Sequence, residues 1–453
     1  MKHVRGAGCL ILLLTLLTTT LLSACGSLKG AVGETAGAAQ VTRYYTYGMF
    51  FQLEGFLEEP GEVASAALVL RSGSGEDGTL YRAEVPVSLS KKQGRLRFRS
   101  AEKIDEGLCL DTLPTGTCAA LLETRDREGT PRYWTLEDET GSDKKPAEPA
   151  IEYYTLSHGR GHRKVTTEFR TLGERNTLVF QVRRSRLPAD VYDIVIDPGH
   201  GGKDPGAQSG GYSERDIVLE EAKAIRTALE RAGYKVLLTR DGSEDPEVNM
   251  AYTLYDKDGR VNRACASKAK LSLSIHLNYS PNKSQNGVQV YRSRKAGDAF
   301  ARAIAGGLVD GTGLSYSTMA GKTVPGVYTR TFSTADLREE RAKAKAKGFS
   351  FYEATTSTDY YFMIREFGGI ATGAYVDGRN PDYGTNEYRN SNQGVDGLLC
   401  ELAFLTNPED LKVLLQDQRG IASSITNAVD HYVDGLYENP GGQTADLLGK
   451  ETL

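Results

Sequence analysis

From Val191 onward, short apolar runs alternate with stretches of helical period, and this alternation constrains the fold more than any other feature of the chain. Tyr192 to Ile196 reads as a strand, and a polar, glycine-rich loop follows it. Ser213 is a suitable N-cap for a helix from Glu214 to Ala232, which Gly233 then stops. Ile217, Leu219, Ala222, Ile225, Ala228 and Leu229 supply that helix with a buried face. Lys235 to Thr239 and Leu271 to Ile275 are further strands, and Arg260 to Lys268 is part of a helix. Strands that alternate with helices pair in parallel, because each helix carries the chain back to the same end of the sheet. Residues 190–437 are therefore expected to form an α/β domain, a mostly parallel sheet with flanking helices.

The chain has 453 residues, too many for one domain of usual size, which leaves room for a second domain ahead of this one. There the period changes to two. Phe51, Leu53 and Leu57 alternate with polar positions, as do Ala83, Val85, Val87 and Leu89, then Leu96 and Phe98. Turn signals at Gly73-Ser74-Gly75 and Gln93-Gly94 separate the runs. Residues 42–189 read as a β-rich accessory domain resembling a β-sandwich. Gly141 to Pro149 looks like an exposed linker or long loop within it. The strand-like runs Val165 to Phe169 and Leu178 to Val182 either complete the sandwich or lead into the α/β domain.

The first residues read as an export signal. Lys2 and Arg5 precede an apolar run from Cys9 to Leu22, shorter than the roughly 20 residues of a spanning helix. It ends in Leu22-Ser23-Ala24-Cys25, which resembles a bacterial lipobox. Residues 1–24 would then be a lipoprotein signal peptide, with lipid on Cys25 holding the protein to the membrane, facing the cell wall. An ordinary signal peptide with an incidental cysteine is the plainer alternative. Residues 25–41, rich in Gly, Ala, Ser and Thr, read as a flexible tether, and 438–453 as a C-terminal tail. Cys109 and Cys118 could bridge in an exported protein, while Cys265 and Cys400 suit small buried positions. A net charge of −4 does not favour nucleic acid, whose binders carry a basic surface, and none is expected as a partner.

In α/β sheets the active site lies at the carboxyl ends of the strands. One strand ends in Asp197-Pro198-Gly199-His200, another in Ser274-Ile275-His276, and a third apolar run leads to Cys400-Glu401-Leu402. Glu214 opens the helix after the His200 loop and can reach the same face. Two histidines and a carboxylate suit catalytic zinc, which commonly takes three protein ligands and keeps one position for water. A further carboxylate, for which Glu401 is the candidate, would shuttle the proton. Each signal is weak alone: a strand-end histidine is usually structural, a helix-opening glutamate usually serves the helix dipole, and HExxH is absent.

In combination they are specific. Val195 to Ala207 closely resembles the opening motif of the zinc-dependent N-acetylmuramoyl-L-alanine amidases, the amidase-3 group. Glu214, Leu238-Thr239-Arg240, Arg260 with Ala264, and Ser274 to Asn278 follow in the family's order, and Glu401 to Asn407 resembles its closing motif. The resemblance spans roughly residues 191 to 437. It implies that His200, Glu214 and His276 bind Zn2+ and that Glu401 is the catalytic acid/base. It also implies the reaction, hydrolysis by zinc-activated water of the amide between the lactyl group of N-acetylmuramic acid and L-alanine in peptidoglycan. A zinc hydrolase of another amide and an inactive wall-binding module remain alternatives, and a protein activator is possible.

Cys265 and Lys270 depart from the family's usual Asn and Asp. The stretch between His276 and Glu401 is longer than usual, with an insertion around residues 315–395. Its charged run Asp336 to Lys347 is either a solvated helix or a lid. Tyr360 to Arg365 resembles the family's apolar run before the last strand. His158, His162 and His431 have no motif around them. Tyr44, Tyr45, Tyr47 and Trp134 read as core aromatics before sugar platforms.

Overall fold

A computed structural model describes residues 32, 34–58, 60–72, 79–84, 87–90, 94–139, 150–156, 159–172, 175–250, 259–346, 354–368 and 393–438. Cys25, the signal segment, residues 25–31 and 33 of the tether, the 141–149 linker, His158 and nearly all of the tail lie outside the described residues.

The first half is built of strands: β1 (Gly37–Tyr47), β2 (Phe50–Glu58), β3 (Ser65–Arg71), β4 (Thr79–Glu84), β5 (Val87–Ser90), β6 (Arg95–Arg99), β7 (Leu108–Cys109), β8 (Gly116–Arg125), β9 (Pro131–Asp138), β10 (Ile151–Tyr154), β11 (Arg163–Leu172) and β12 (Arg175–Arg184). Hydrogen bonds link them in the order β10-β11-β12-β8-β9-β1-β2-β6-β5, with β3 joining β4 to β8 and β7 on β2. The runs around Val165 and Leu178 thus pair with each other, as β11 and β12, and belong to this sheet. The main apolar cluster of this region has Phe51 packed edge-on to Phe180 at 5.0 Å, and Met49, Phe50, Cys109 and Leu156 join the core of the second half. β1 opens at Gly37, inside the stretch expected as tether; Ala39 and Val41 are buried there and the backbone pairs in parallel with β9. Tyr44, Tyr45 and Tyr47 are core residues. Trp134 is half-buried and donates its indole N–H to Thr124 Oγ1 at 2.9 Å. Cys109 and Cys118 are free thiols, and burial pushes Cys118 up to about 12, so neither is a reactive thiolate at neutral pH.

The second half contains β13 (Ile194–Pro198), β14 (Gln208–Ser209), β15 (Tyr212–Ser213), α1 (Glu214–Arg231), β16 (Val236–Leu238), α2 (Arg260–Ala266), β17 (Leu271–Asn278), β18 (Gln289–Tyr291), α3 (Ala299–Gly311), β19 (Lys322–Val324), β20 (Val327–Tyr328), α4 (Thr334–Ala346), α5 (Phe362–Gly368), β21 (Gln393–Gly394), β22 (Asp396–Phe404), α6 (Pro408–Gln416) and α7 (Gln418–Glu438). The sheet order is β16-β13-β17-β22-β18-β20-β19. β16, β13, β17 and β22 pair in parallel, β18 runs antiparallel to β22 and parallel to β20, and β19 runs antiparallel to β20. The central strands are buried on both faces, which is why they read as apolar runs without alternation.

Helix α1 starts where its cap predicts: Ser213 Oγ accepts from Asp216 N. Its buried stripe is Glu214, Ile217, Val218, Glu221, Ala222, Ile225 and Leu229, while Leu219 and Ala228 are only half-buried. The stripe is rotated toward two glutamates. Each large apolar side chain in it contributes about 1.5–3 kcal/mol, which offsets the cost of burying them. On α4, Ser333 and Asp336 cap each other reciprocally, and Leu337 packs with Phe332 and Ala354 while much of the charged run is solvated.

The two halves share backbone hydrogen bonds. β21 pairs with β1, and Gly297 N donates to Asp105 Oδ1 at 2.5 Å. Lys270, where the family often has Asp, belongs to this junction. Its ammonium is buried between Asp193 (3.8 Å), the Tyr192 carbonyl (3.2 Å) and the Tyr153 ring of β10 (5.7 Å). Burial lowers its pKa, and the Asp193 and Asp111 carboxylates oppose that. The departure therefore concerns the contact between the two halves at the amino end of β17, opposite the carboxyl ends that hold the histidines.

Candidate metal centre

β13 delivers His200 one residue past its hydrogen-bonded end, where Gly199 N donates to Ile275 O at 2.9 Å. His200 lies at φ 63°, a left-handed conformation that costs a non-glycine residue on the order of 1–3 kcal/mol. Its surroundings hold it there. Arg240 donates to the carbonyls of Pro198 (3.0 Å) and Gly199 (2.7 Å), and Arg260 donates to Pro198 O at 2.9 Å. The buried Asp197 carboxylate accepts from Thr239 and Ser274 and faces Arg260 at 3.4 Å. Two glycines allow the close approach. A Cβ on Gly199 would stand 2.3 Å from His276 Cε1, and one on Gly206 would stand 2.6 Å from Glu214 Oε2.

His276 lies near the end of β17, directly beside Glu401 of β22 in the parallel register. Glu214, the first residue of α1, reaches under both imidazoles. His200 Nε2 is 3.0 Å from Glu214 Oε2, and His276 Nδ1 is 2.9 Å from Glu214 Oε1. The same carboxylate accepts from Ala207 N and Leu277 N, each at 2.9 Å. The donor atoms of His200, Glu214 and His276 all lie within 4.8 Å of one another, close enough for one small cation to bridge them at bond lengths near 2.0–2.2 Å. Imidazole nitrogens with one carboxylate suit zinc better than the all-oxygen sets of calcium or magnesium.

The hydrogen bonds set the charges. Burial disfavours the charged imidazole of His200, but hydrogen bonds to Asp204 and Glu214 outweigh it and raise the pKa to about 9. Burial raises the Glu214 pKa, yet the two histidines hold this carboxyl far below its ordinary range. Glu401 shows the opposite balance. Burial, reinforced by the Glu214 charge, pushes it up to about 8 against His200. Its Oε2 is sealed from solvent with no hydrogen-bond partner among the described residues, an orphaned atom of the kind a reacting proton or a ligand would satisfy.

The structure thus brings together all four residues singled out in the sequence. It adds Asp204, whose Oδ2 lies 2.9 Å from His200 Nδ1 and leaves Nε2 to face Glu214. Asp204 stands four residues from His200 in the opening motif, so its place beside the ring could have been suspected. From the insertion, Tyr361 packs on Tyr291 at 4.9 Å, and after burial the Glu401 charge is the largest or next-largest influence raising both hydroxyls. This stretch therefore borders Glu401. His162 accepts a structural role, with Nδ1 2.8 Å from Thr155 O, and His431 is exposed on α7.

Residues 194–347 match the family described as N-acetylmuramoyl-L-alanine amidase; the match takes in His200, Glu214 and His276 and ends before Glu401. AmiC of Neisseria meningitidis serogroup B is 28% identical over 259 residues, 56% of this chain and 54% of that protein. The germination-specific N-acetylmuramoyl-L-alanine amidase of Bacillus subtilis is 38% identical over 110 residues, 23% of this chain and 46% of that protein. The chain spans about half or less of these curated relatives. Among solved structures, AmiC2 of Nostoc punctiforme superposes with a TM-score of 0.34 at 23% identity, covering 54% of this chain and 98% of that one. The motifs, their order and the matched segment all make the second half of the chain similar to the N-acetylmuramoyl-L-alanine amidases of the amidase-3 group.

Proposed function

We propose that this protein hydrolyses the amide bond between the lactyl group of N-acetylmuramic acid and L-alanine in peptidoglycan. The observation that carries the reading is the convergence of His200, Glu214 and His276 beside a half-buried Glu401 whose Oε2 is sealed without a hydrogen-bond partner among the described residues. The three donors would hold zinc, which when bound supplies Lewis-acid polarisation of the scissile carbonyl and a lower pKa for attacking water. Glu214, fixed by four contacts, keeps its negative charge and orients both imidazoles. Asp204 holds the His200 ring. Glu401 accepts the proton of the attacking water and passes it to the departing L-alanine nitrogen. No covalent bond to the protein is needed.

The test is release of alanine amino termini from purified peptidoglycan by the full chain. Chelator should abolish release and zinc restore it. Free acetate or other peptide termini as the product would replace this reading with a hydrolase of a different amide. No product at all from zinc-loaded protein would favour a wall-binding module.

The surrounding organisation follows the same reading. We propose a β-sandwich-like accessory domain over about 42–189 and a mostly parallel catalytic sheet within 190–437. The insertion around 315–395 borders the cleft through Tyr361. Export, with lipid on Cys25, would place the enzyme at the membrane facing the wall. The support is the Leu22-Ser23-Ala24-Cys25 sequence. No helix among the described residues is long and apolar enough to cross a membrane. Loss of labelled palmitate incorporation in Cys25→Ala is the expected outcome; unchanged labelling would remove the anchor.

A further inference from the structure

A second polar site lies at the junction of the two halves and shares no residue with the metal centre. Arg43 and Tyr45 of β1, Glu54 of β2, the segment 99–104 after β6, and Arg294-Lys295 after β18 line a cleft of about 330 Å³. Five cationic side chains, Arg43, Arg99, Lys103, Arg294 and Lys295, face two carboxylates, Glu54 and Glu102. Arg99 pairs with Glu102, and the Arg43 guanidinium lies over the Tyr45 ring at 4.5 Å. The excess of cations over carboxylates in the lining gives the cleft a positive potential, which draws anions.

The walls are built to keep this arrangement. Asp359 accepts from Ser293 Oγ (2.7 Å) and Arg294 N (3.0 Å), fixing the β18 loop. Ile104 N donates to Lys295 O at 3.3 Å. Gln52 donates to the carbonyls of Ile104 and Glu106 at 2.8 and 2.9 Å, fixing the opposite wall. The cations are therefore presented by braced backbone from both halves of the molecule.

We propose that this cleft binds a small phosphate ester of a polyol, of the glycerol phosphate type. A phosphate offers several oxygens and up to two negative charges to guanidinium forks and ammonium groups. The two carboxylates argue against a ligand that is negative throughout and in favour of one carrying hydroxyls, which donate to Glu54, Glu102 being engaged by Arg99. The volume suits a small molecule or the end group of a larger one. The source is either a soluble or polymer-borne phosphate ester or the headgroup of a phospholipid, since both present the same chemistry.

The experiment is calorimetric titration of the full chain with inorganic phosphate, glycerol 3-phosphate and dihexanoyl phosphatidylglycerol below its micelle concentration. Saturable binding of glycerol 3-phosphate or of the lipid, tighter than inorganic phosphate, is expected. Glycerol 3-phosphate binding alone names a water-soluble or polymeric source, and equal or tighter lipid binding names the headgroup. Arg294→Gln with Lys295→Gln should weaken binding at least tenfold, and Glu102→Gln, which releases Arg99, should tighten it severalfold. Near-ultraviolet circular dichroism confirms that each variant folds; if the double variant does not, the Glu102→Gln result decides. Absence of saturable binding by all three probes, or affinities unchanged in the folded variants, overturns the proposal. The readout is heat, so failure here leaves the amidase reading standing, and failure of hydrolysis leaves this site standing.

Discussion

Glu214 and Glu221 stand seven residues apart on α1, two helical turns, and both face inward, at 4% and 0% exposure. At the mouth of the sheet Glu214 has two backbone N–H groups and two imidazoles around it. Deeper along the helix, neither Glu221 oxygen has a hydrogen-bond partner among the described residues. Their titrations diverge accordingly. The histidines hold Glu214 well below the usual range despite its burial, whereas burial, helped by the Asp417 charge, drives Glu221 up to about 8. Burial alone does not decide whether a carboxyl is charged; the donors around it do. Glu401 resembles Glu221 in its orphaned oxygen but lies beside Glu214 and His200, so its protonation can follow events at the metal centre.

The largest effects should separate the two glutamates of the site. Glu401→Gln is expected to lower hydrolysis by at least ~10³-fold while leaving zinc affinity within about twofold of the parent, since its side chain is not one of the three converging donors. Glu214→Gln should lose zinc affinity by ~10²-fold or more, and activity with it. Metal content by atomic emission, measured with turnover on the same samples, checks both. Equal loss of zinc in the two variants would make Glu401 a ligand and erase the distinction.

A smaller effect tests whether fixing the histidine matters as much as supplying it. Asp204→Asn keeps the shape but removes the charge that opposes the His200 ring at 2.9 Å. Partners of this kind are worth 10–100-fold in metal affinity. Competition with a chelating dye should show a loss in that range, and Glu220→Gln, at an exposed carboxylate of α1, should show none. An unchanged Asp204→Asn would reduce Asp204 to a loop residue.

What could be read in advance divides along the same line. His200, His276 and Glu401 were legible because each polar residue interrupts or ends an apolar run, and because sheet topology collects strand ends at one edge. Glu214 was legible through its helix position and motif. The rotation of α1 toward Glu221 was not, because periodicity scores apolar residues and a glutamate at a core position registers as solvent-facing. The roles of Asp197, Arg240 and Arg260 were also hidden. All three stand in or near the quoted motifs, but their work is to brace carbonyls and each other across three segments, which spacing cannot express. The opening of β1 at Gly37 was masked by a composition of small residues that serve a close-packed edge as well as a tether.

Glu221 supplies the last and smallest test, since it lies outside the chemistry altogether. Its folded pKa of about 8 stands above the ordinary 4.5, so folding takes up a proton. The carboxyl is tolerated at low pH, and stability falls as pH rises from the unfolded value through the folded one. Glu221→Met removes both the proton demand and the two unpartnered oxygens while keeping an unbranched chain of similar length. It should raise stability modestly at pH 5 and by roughly 2–4 kcal/mol more at pH 9, read as the shift in the urea midpoint of unfolding. Zinc affinity should not change, because two turns of helix separate it from Glu214. A gain that is the same at both pH values would mean that Glu221 is neutral, or paired, across the whole range, and the contrast between the two ends of α1 would then be one of packing rather than charge.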